Sequence, residues 1–230
     1  RGDAQSARGR VLKPGKTLTI CTGDVYGVID GREIHVLIFG AKNLSLTLDS
    51  LNRVGVNYER ICVVAENSVD ESVRYAATVS EAVGDLSEST RLLLLNSGDA
   101  ISKVSFDVFL TCDSGADVVY CDTDKIDAKD RRVSPHFLPD WNPDLQLSTG
   151  YIFTGVMCNA ALVKRSAVSA LTVAGLVAEL WIKQPHLSVE HVPYTLIHRS
   201  YNKKVTLDAL ADIRTVIECF TSATPSYNNE

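Results

Sequence analysis

No apolar run in the 230-residue chain approaches the roughly 20 residues a bilayer-crossing helix needs, and RGDAQSARGR at its start has no signal-peptide core. Both absences predict a soluble unit. The chain also lacks an initial methionine, which reads as a processed or excised segment of a longer protein with a flexible stretch over 1–15. It has no Lys/Arg cluster either: 23 basic and 28 acidic residues leave a formal charge of −5, so nucleic acid is not the expected partner. The six cysteines show no C-x-x-C spacing for zinc or redox work and read as small buried hydrophobes in a reducing compartment. No G-x-G-x-x-G follows any apolar run, and the PGKT at Pro14 to Thr17 lacks the upstream glycine of a phosphate loop. Internal repeats and low-complexity tracts are absent too.

What is present is a hydrophobic content of 45%, enough for one substantial core. A single α/β domain over 16–221 is expected, followed by a flexible tail over 222–230. Lys16 to Cys21 and Asp24 to Ile29 read as a leading hairpin. Short continuous apolar runs at Ile34–Phe39, Ile61–Val64, Leu92–Leu95 and Val118–Cys121 have the form of buried parallel strands. Between them, helical spacing is expected over Leu44–Val54, Asp70–Val83 and Ser102–Leu110. Further on, Asn159–Leu171, Gly175–Lys183 and Thr206–Phe220 read as helices and Val189–His198 as a strand. Alternation of this kind predicts a mostly parallel sheet with helices on both faces, binding its ligand beyond the carboxyl ends of the strands.

The fourth run ends in the densest cluster of chemistry, VVYCDTDKIDAKDRRVSPHFLPDWNPDLQLSTGYI from Val118 to Ile152. Asp122 and Asp124, one residue apart at a strand mouth, could ligate a divalent cation or could simply cap the next turn. In the PDWNPDL loop, Asp140 and Asp144 could hold sugar hydroxyls and Trp141 could stack on a ring, against the plainer reading that the loop packs on the sheet. Asp99 could be a metal ligand assisted by Asn96, or an acid beside a helix N-terminus. His198 could complete a metal shell or bond a phosphate, or merely close its strand.

This whole run closely resembles a segment of the bacterial family-2 glycosyltransferases that build O-antigen and related surface glycans. The likeness extends from about Glu33 to about Ser200. IHVLIFGAKN is similar to their first nucleotide-binding strand, YERICVVAENSVDES to the second strand and its loop, LLLLNSGDAIS to the third, and HVPYTLIHRS to a late strand. The resemblance implies a GT-A fold, Rossmann-like, holding a nucleotide diphospho-sugar with Mg²⁺ or Mn²⁺. It implies transfer to a glycan or lipid-linked acceptor hydroxyl, in the cytoplasm or at the inner face of the membrane, beside other domains of a longer chain. A module of this type that binds glycan or a partner protein without catalysis is the alternative.

Departures from the family pattern fall at its site. Ala65 stands where the nucleobase-reading acid belongs, with Glu66 one position later. The third-strand metal motif becomes Asn96, Ser97, Gly98 and Asp99. The catalytic aspartate position falls on Val177, leaving Glu179 as the acid of that helix. On this reading Glu179 and Asp122 serve catalysis, and Glu66, Asn96 and Asp99 the nucleotide. Asp124, Asp140, Trp141 and Asp144 serve the acceptor, and Asp99, Asp122, Asp124 and His198 the metal.

Overall fold

Leucine and β-branched runs supply the sheet, and amphipathic segments cover it. A computed structural model describes residues 28–29, 32–68, 70–112, 115–200 and 206–223. The first half holds β1 (Val28–Ile29), β2 (Arg32–Phe39), α1 (Leu44–Arg53), β3 (Ile61–Val64), β4 (Arg74–Ala76), α2 (Val79–Val83), β5 (Arg91–Asn96), β6 (Asp99–Ile101) and α3 (Ser105–Thr111). There follow β7 (Val118–Ile126), β8 (Arg132–His136), α4 (Pro143–Thr149), β9 (Val156–Asn159), α5 (Ala160–Ser166), α6 (Val173–Lys183), β10 (Val189–Ser200) and α7 (Thr206–Ala223).

The strands lie side by side in the order β4-β3-β2-β5-β9-β7-β10-β6. Strands β4, β3, β2 and β5 pair in parallel, as do β7 and β10. Strand β9 is antiparallel to both of its neighbours, so the parallel groups on either side of it point the same way. Alternation along each strand divides the core in two. Leu37, Phe39, Leu92 and Leu94 face one layer with helices α2, α5 and α6, while Val36, Ile38, Leu93 and Leu95 face the other with α1 and α3. Helices therefore cover both faces, as the alternating pattern predicts.

Three departures from expectation have causes in the structure. The helix expected over Asp70–Val83 is instead a turn, strand β4 and the short helix α2. The Asp70 carboxylate accepts from the Ser72 N–H and hydroxyl, diverting the backbone, and Thr78 starts the helix afresh by accepting from the Glu81 N–H. The strand expected to end at Cys121 continues to Ile126, because β8 and β10 flank it on either side. Asp122 and Asp124 are thus inside a strand and not at its mouth. Asn159 precedes α5 but does not cap it with its side chain, which accepts from the Arg91 guanidinium at 2.9 Å. The leading hairpin lies outside the described residues except for Val28–Ile29, which pair with β2.

Helix α7 is built as its amphipathic spacing requires. Ala209 and Ile213 bury against Ala174 and Ala178 of α6. Two glycines permit this closeness. A Cβ on Gly150 would lie 3.0 Å from Ile213, and one on Gly175 would lie 2.0 Å from Asp212. No described helix is long and apolar enough to cross a membrane.

Candidate functional site

The carboxyl ends of β2 and β5 open into a cleft of about 890 Å³. Gly40 to Asn43, the loop leading into α1, forms one wall together with Asn96 and Ser97 from the end of β5. Phe153, Thr172 and Ala174 contribute the floor and sides. Asp208, Asp212 and Thr215 of α7 form the opposite wall. A smaller lobe of about 470 Å³ shares Gly40, Ala41 and Lys42 and extends to Ala65, Glu66 and Asn67 at the end of β3. Open parallel sheets present ligand sites at these strand ends.

The strand-end wall is held rigidly by its own backbone. Gly40 donates its N–H to Val64 O at 3.0 Å, Ser97 N–H to Phe39 O at 3.0 Å, and Ser97 Oγ to Lys42 O at 2.7 Å. Gly98, at φ +88°, gives its N–H to Thr47 Oγ1 at 2.8 Å. Asn96, on the nucleotide side of the expected site, lines the main cleft and donates its amide to Phe153 O at 2.7 Å. Glu66 is exposed and lines the smaller lobe.

Asp122 and Asp124 line neither lobe and are buried in β7. Asp122 Oδ1 accepts from the Leu138 N–H and is hydrogen-bonded to His191 Nε2, both at 2.8 Å. The His191 ring stacks on Tyr120 at 4.8 Å, and the Tyr120 hydroxyl donates to Pro139 O at 2.6 Å. Burial pushes the Tyr120 phenol well above its ordinary range, so it stays a donor. Asp124 is clasped from two sides, by His198 Nδ1 at 2.7 Å and Arg132 Nε at 2.6 Å. These contacts anchor the loop over 127–142 to the sheet.

The expected residues Asp99, Glu179, Trp141, Asp140 and Asp144 line neither lobe. Asp99 is fully buried on β6, opposite Arg199 of β10 in the ladder. Burial lowers the pKa of the Arg199 guanidinium, the Asp99 charge opposes that shift, and the group lies over the Phe153 ring at 4.2 Å. Glu179 is buried, with its oxygens accepting from the Ser169 N–H, the Ala170 N–H, the Ser169 hydroxyl and Lys183 Nζ at 2.7–3.2 Å. A carboxylate so filled fixes the turn before α6. Val177, at the family's catalytic position, is fully buried in the core. Trp141 packs edge-to-face on Trp181 at 5.4 Å, which favours the packing reading. Asp140 is exposed and 3.8 Å from His191 Nδ1, and Asp144 is exposed in the first turn of α4.

The donor set does not suit a divalent cation. Hard cations want several oxygen ligands at one point, and among the described residues no three of His, Cys, Asp and Glu are grouped to supply them. Asp122 and Asp124 are already hydrogen-bonded by groups of the chain itself. Sequence reasoning missed Lys42, Ser97, Asp208 and Asp212. Lys42 sits directly after the first strand, and the acids are one turn apart on the amphipathic α7; both placements were available signals.

No protein-family model matches the chain, and no curated protein does. Among solved structures it is similar to Staphylococcus aureus TarS residues 1–349 in complex with UDP-GlcNAc, at TM-score 0.51 and 11% identity, over 82% of this chain and 65% of that one. The likeness is one of fold. Two further TarS structures are similar at lower scores: the complex of residues 1–349 with UDP, at TM-score 0.49 and 11% identity over 84% and 65% of the two chains, and TarS itself, at 0.48 and 12% over 85% and 44%. The chain thus spans about two thirds of the first of these or less. Its sheet is the curled, mostly parallel, Rossmann-like sheet expected of a glycosyltransferase-like domain.

Proposed function

We propose that the chain is a glycosyltransferase-like domain that binds a nucleotide diphospho-sugar at the ends of β2, β3 and β5 without transferring the sugar itself. The observation that carries this is the two-lobed cleft, which lies where a Rossmann-like sheet presents its ligand site. The similar TarS structure in complex with UDP-GlcNAc supports the choice of ligand class. The base would occupy the smaller lobe near Glu66, with the diphosphate and sugar in the larger one. The absence of transfer follows from the commitments of Glu179, Asp122 and Asp124, since a proton-accepting carboxylate needs an oxygen within reach of the acceptor hydroxyl.

A second reading keeps the chemistry. Asp208 lines the cleft, is exposed, and makes no hydrogen bond or ion pair among the described residues. In that reading it accepts the proton from a hydroxyl of a surface glycan or lipid-linked sugar. The experiment is calorimetry with UDP, GDP, dTDP and their sugar conjugates, paired with chromatography for released nucleoside diphosphate. Saturable binding with no release supports the binding module. Release that stops in Asp208→Asn supports the transferase, and absence of binding to every compound overturns both.

A further inference from the structure

We infer that the cleft holds a nucleoside diphosphate without a divalent cation, the opposing positive charge coming from Lys42. This rests on the nucleotide-binding reading above. Asp122 and Asp124 lie outside both lobes and are hydrogen-bonded within the chain, Asp124 to His198 and Arg132 and Asp122 to His191 and the Leu138 N–H, and Asp99 is buried on β6, outside both lobes as well. At the end of β5 the wall offers an amide and a hydroxyl, Asn96 and Ser97, and both already donate to carbonyls. The carboxylates of the larger lobe are on α7, and the Asp212 oxygens accept from the N–H groups of Leu171 and Thr172 and from the Thr172 hydroxyl at 2.7–3.1 Å. Asp208 in the larger lobe and Glu66 in the smaller one remain, and two carboxylates in separate lobes cannot assemble an oxygen cage.

Lys42 is placed for the alternative. It lines both lobes, so it stands at their junction, where a diphosphate would link base to sugar. Its backbone is fixed by Ser97 Oγ, while its ammonium makes no hydrogen bond or ion pair among the described residues. A lysine acts on phosphate as a compact point charge with three donors, without any need for metal geometry. Asp208 on the facing wall repels phosphate and attracts hydroxyl donors. The cleft is therefore polar from wall to wall, with phosphates drawn to the strand ends and the sugar directed towards α7.

The test is calorimetry on the full chain with UDP, GDP, dTDP and inorganic pyrophosphate, in EDTA and again with Mn²⁺. The best ligand should bind within about threefold in the two buffers. Lys42→Ala should weaken it about 10- to 100-fold, the loss of one charge-assisted bond, and Lys42→Arg should restore most of the affinity. An unchanged unfolding midpoint confirms that the exposed substitution leaves the fold intact. Binding that requires Mn²⁺, or that ignores Lys42→Ala, overturns this inference and leaves the nucleotide-binding reading standing. Failure of every ligand in both buffers overturns the nucleotide-binding reading and this inference with it.

Discussion

Replacing Gly175 by alanine should destabilise the protein, and the same replacement should stabilise it once Asp212 is gone. Gly175 sits in the first turn of α6, where Asp212 of α7 accepts from Leu171 N–H, Thr172 N–H and Thr172 Oγ at 2.7–3.1 Å. A Cβ at Gly175 would lie 2.0 Å from Asp212 Oδ2 and 2.6 Å from its Cγ, so the carboxylate must leave. Losing a cap and bonds to a charged acceptor costs about 2–3 kcal/mol. Alanine in a helix returns roughly 1 kcal/mol relative to glycine. Gly175→Ala alone should therefore cost about 1–2 kcal/mol, and Asp212→Ala about 2–3 kcal/mol. In the Asp212→Ala background the carboxylate is absent, Thr172 Oγ1 at 3.2 Å from the added Cβ must give by a few tenths of an ångström, and a helix-propensity gain of up to about 1 kcal/mol remains. Urea titration of all four proteins gives the coupling directly, provided the slopes agree. An equal cost of Gly175→Ala in both backgrounds would refute the argument and detach α7 from α6.

Acid should weaken the fold before any carboxylate titrates. Burial holds His35 and His136 below their ordinary range, against the hydrogen bond to Glu33 for the first and with help from Arg199 for the second. The unfolded chain thus binds protons from about pH 6.5 downward that the native chain does not, so the urea midpoint should fall as pH drops below that value. A midpoint flat between pH 7 and 5.5 contradicts this. Thiol alkylation should be equally selective. Burial pushes Cys158 up to about 12 and Cys121 higher, while Cys219 is exposed. Mass spectrometry of native protein should find iodoacetamide on Cys219 and reach Cys121 and Cys158 only after denaturation.

The central strands were legible because β2, β3, β5 and β7 are continuous apolar runs, and period alone separates their two faces. Helix α7 was legible by its stripe of Leu207, Leu210, Ile213, Ile217 and Phe220, although the residues it buries are Ala209, Ile213 and Val216 and Phe220 is exposed. Strand β9 was not, since four residues of Val-Met-Cys-Asn carry too little pattern, and its position between β5 and β7 is decided by tertiary pairing. For the site, Asn96 and Glu66 are legible as strand-end residues, and they line the cleft. The fates of Asp122 and Asp124 were hidden because their histidine partners come from 69 and 74 residues away, a separation no local motif reports. For Glu179 the helical position was visible, but the backbone N–H groups of Ser169 and Ala170 that fill its carboxylate were not. Lys42 passed unnoticed beside richer acidic motifs.

Strand β9 has a mechanical meaning. Among the described strands, the two parallel blocks exchange no ladder bonds with each other, and each pairs with Val156–Asn159 from its own side. Within the sheet this short reversed segment joins the cleft-bearing block to the block that anchors residues 127–142, and its side chains are buried in both layers, Val156 and Cys158 in one and Met157 in the other.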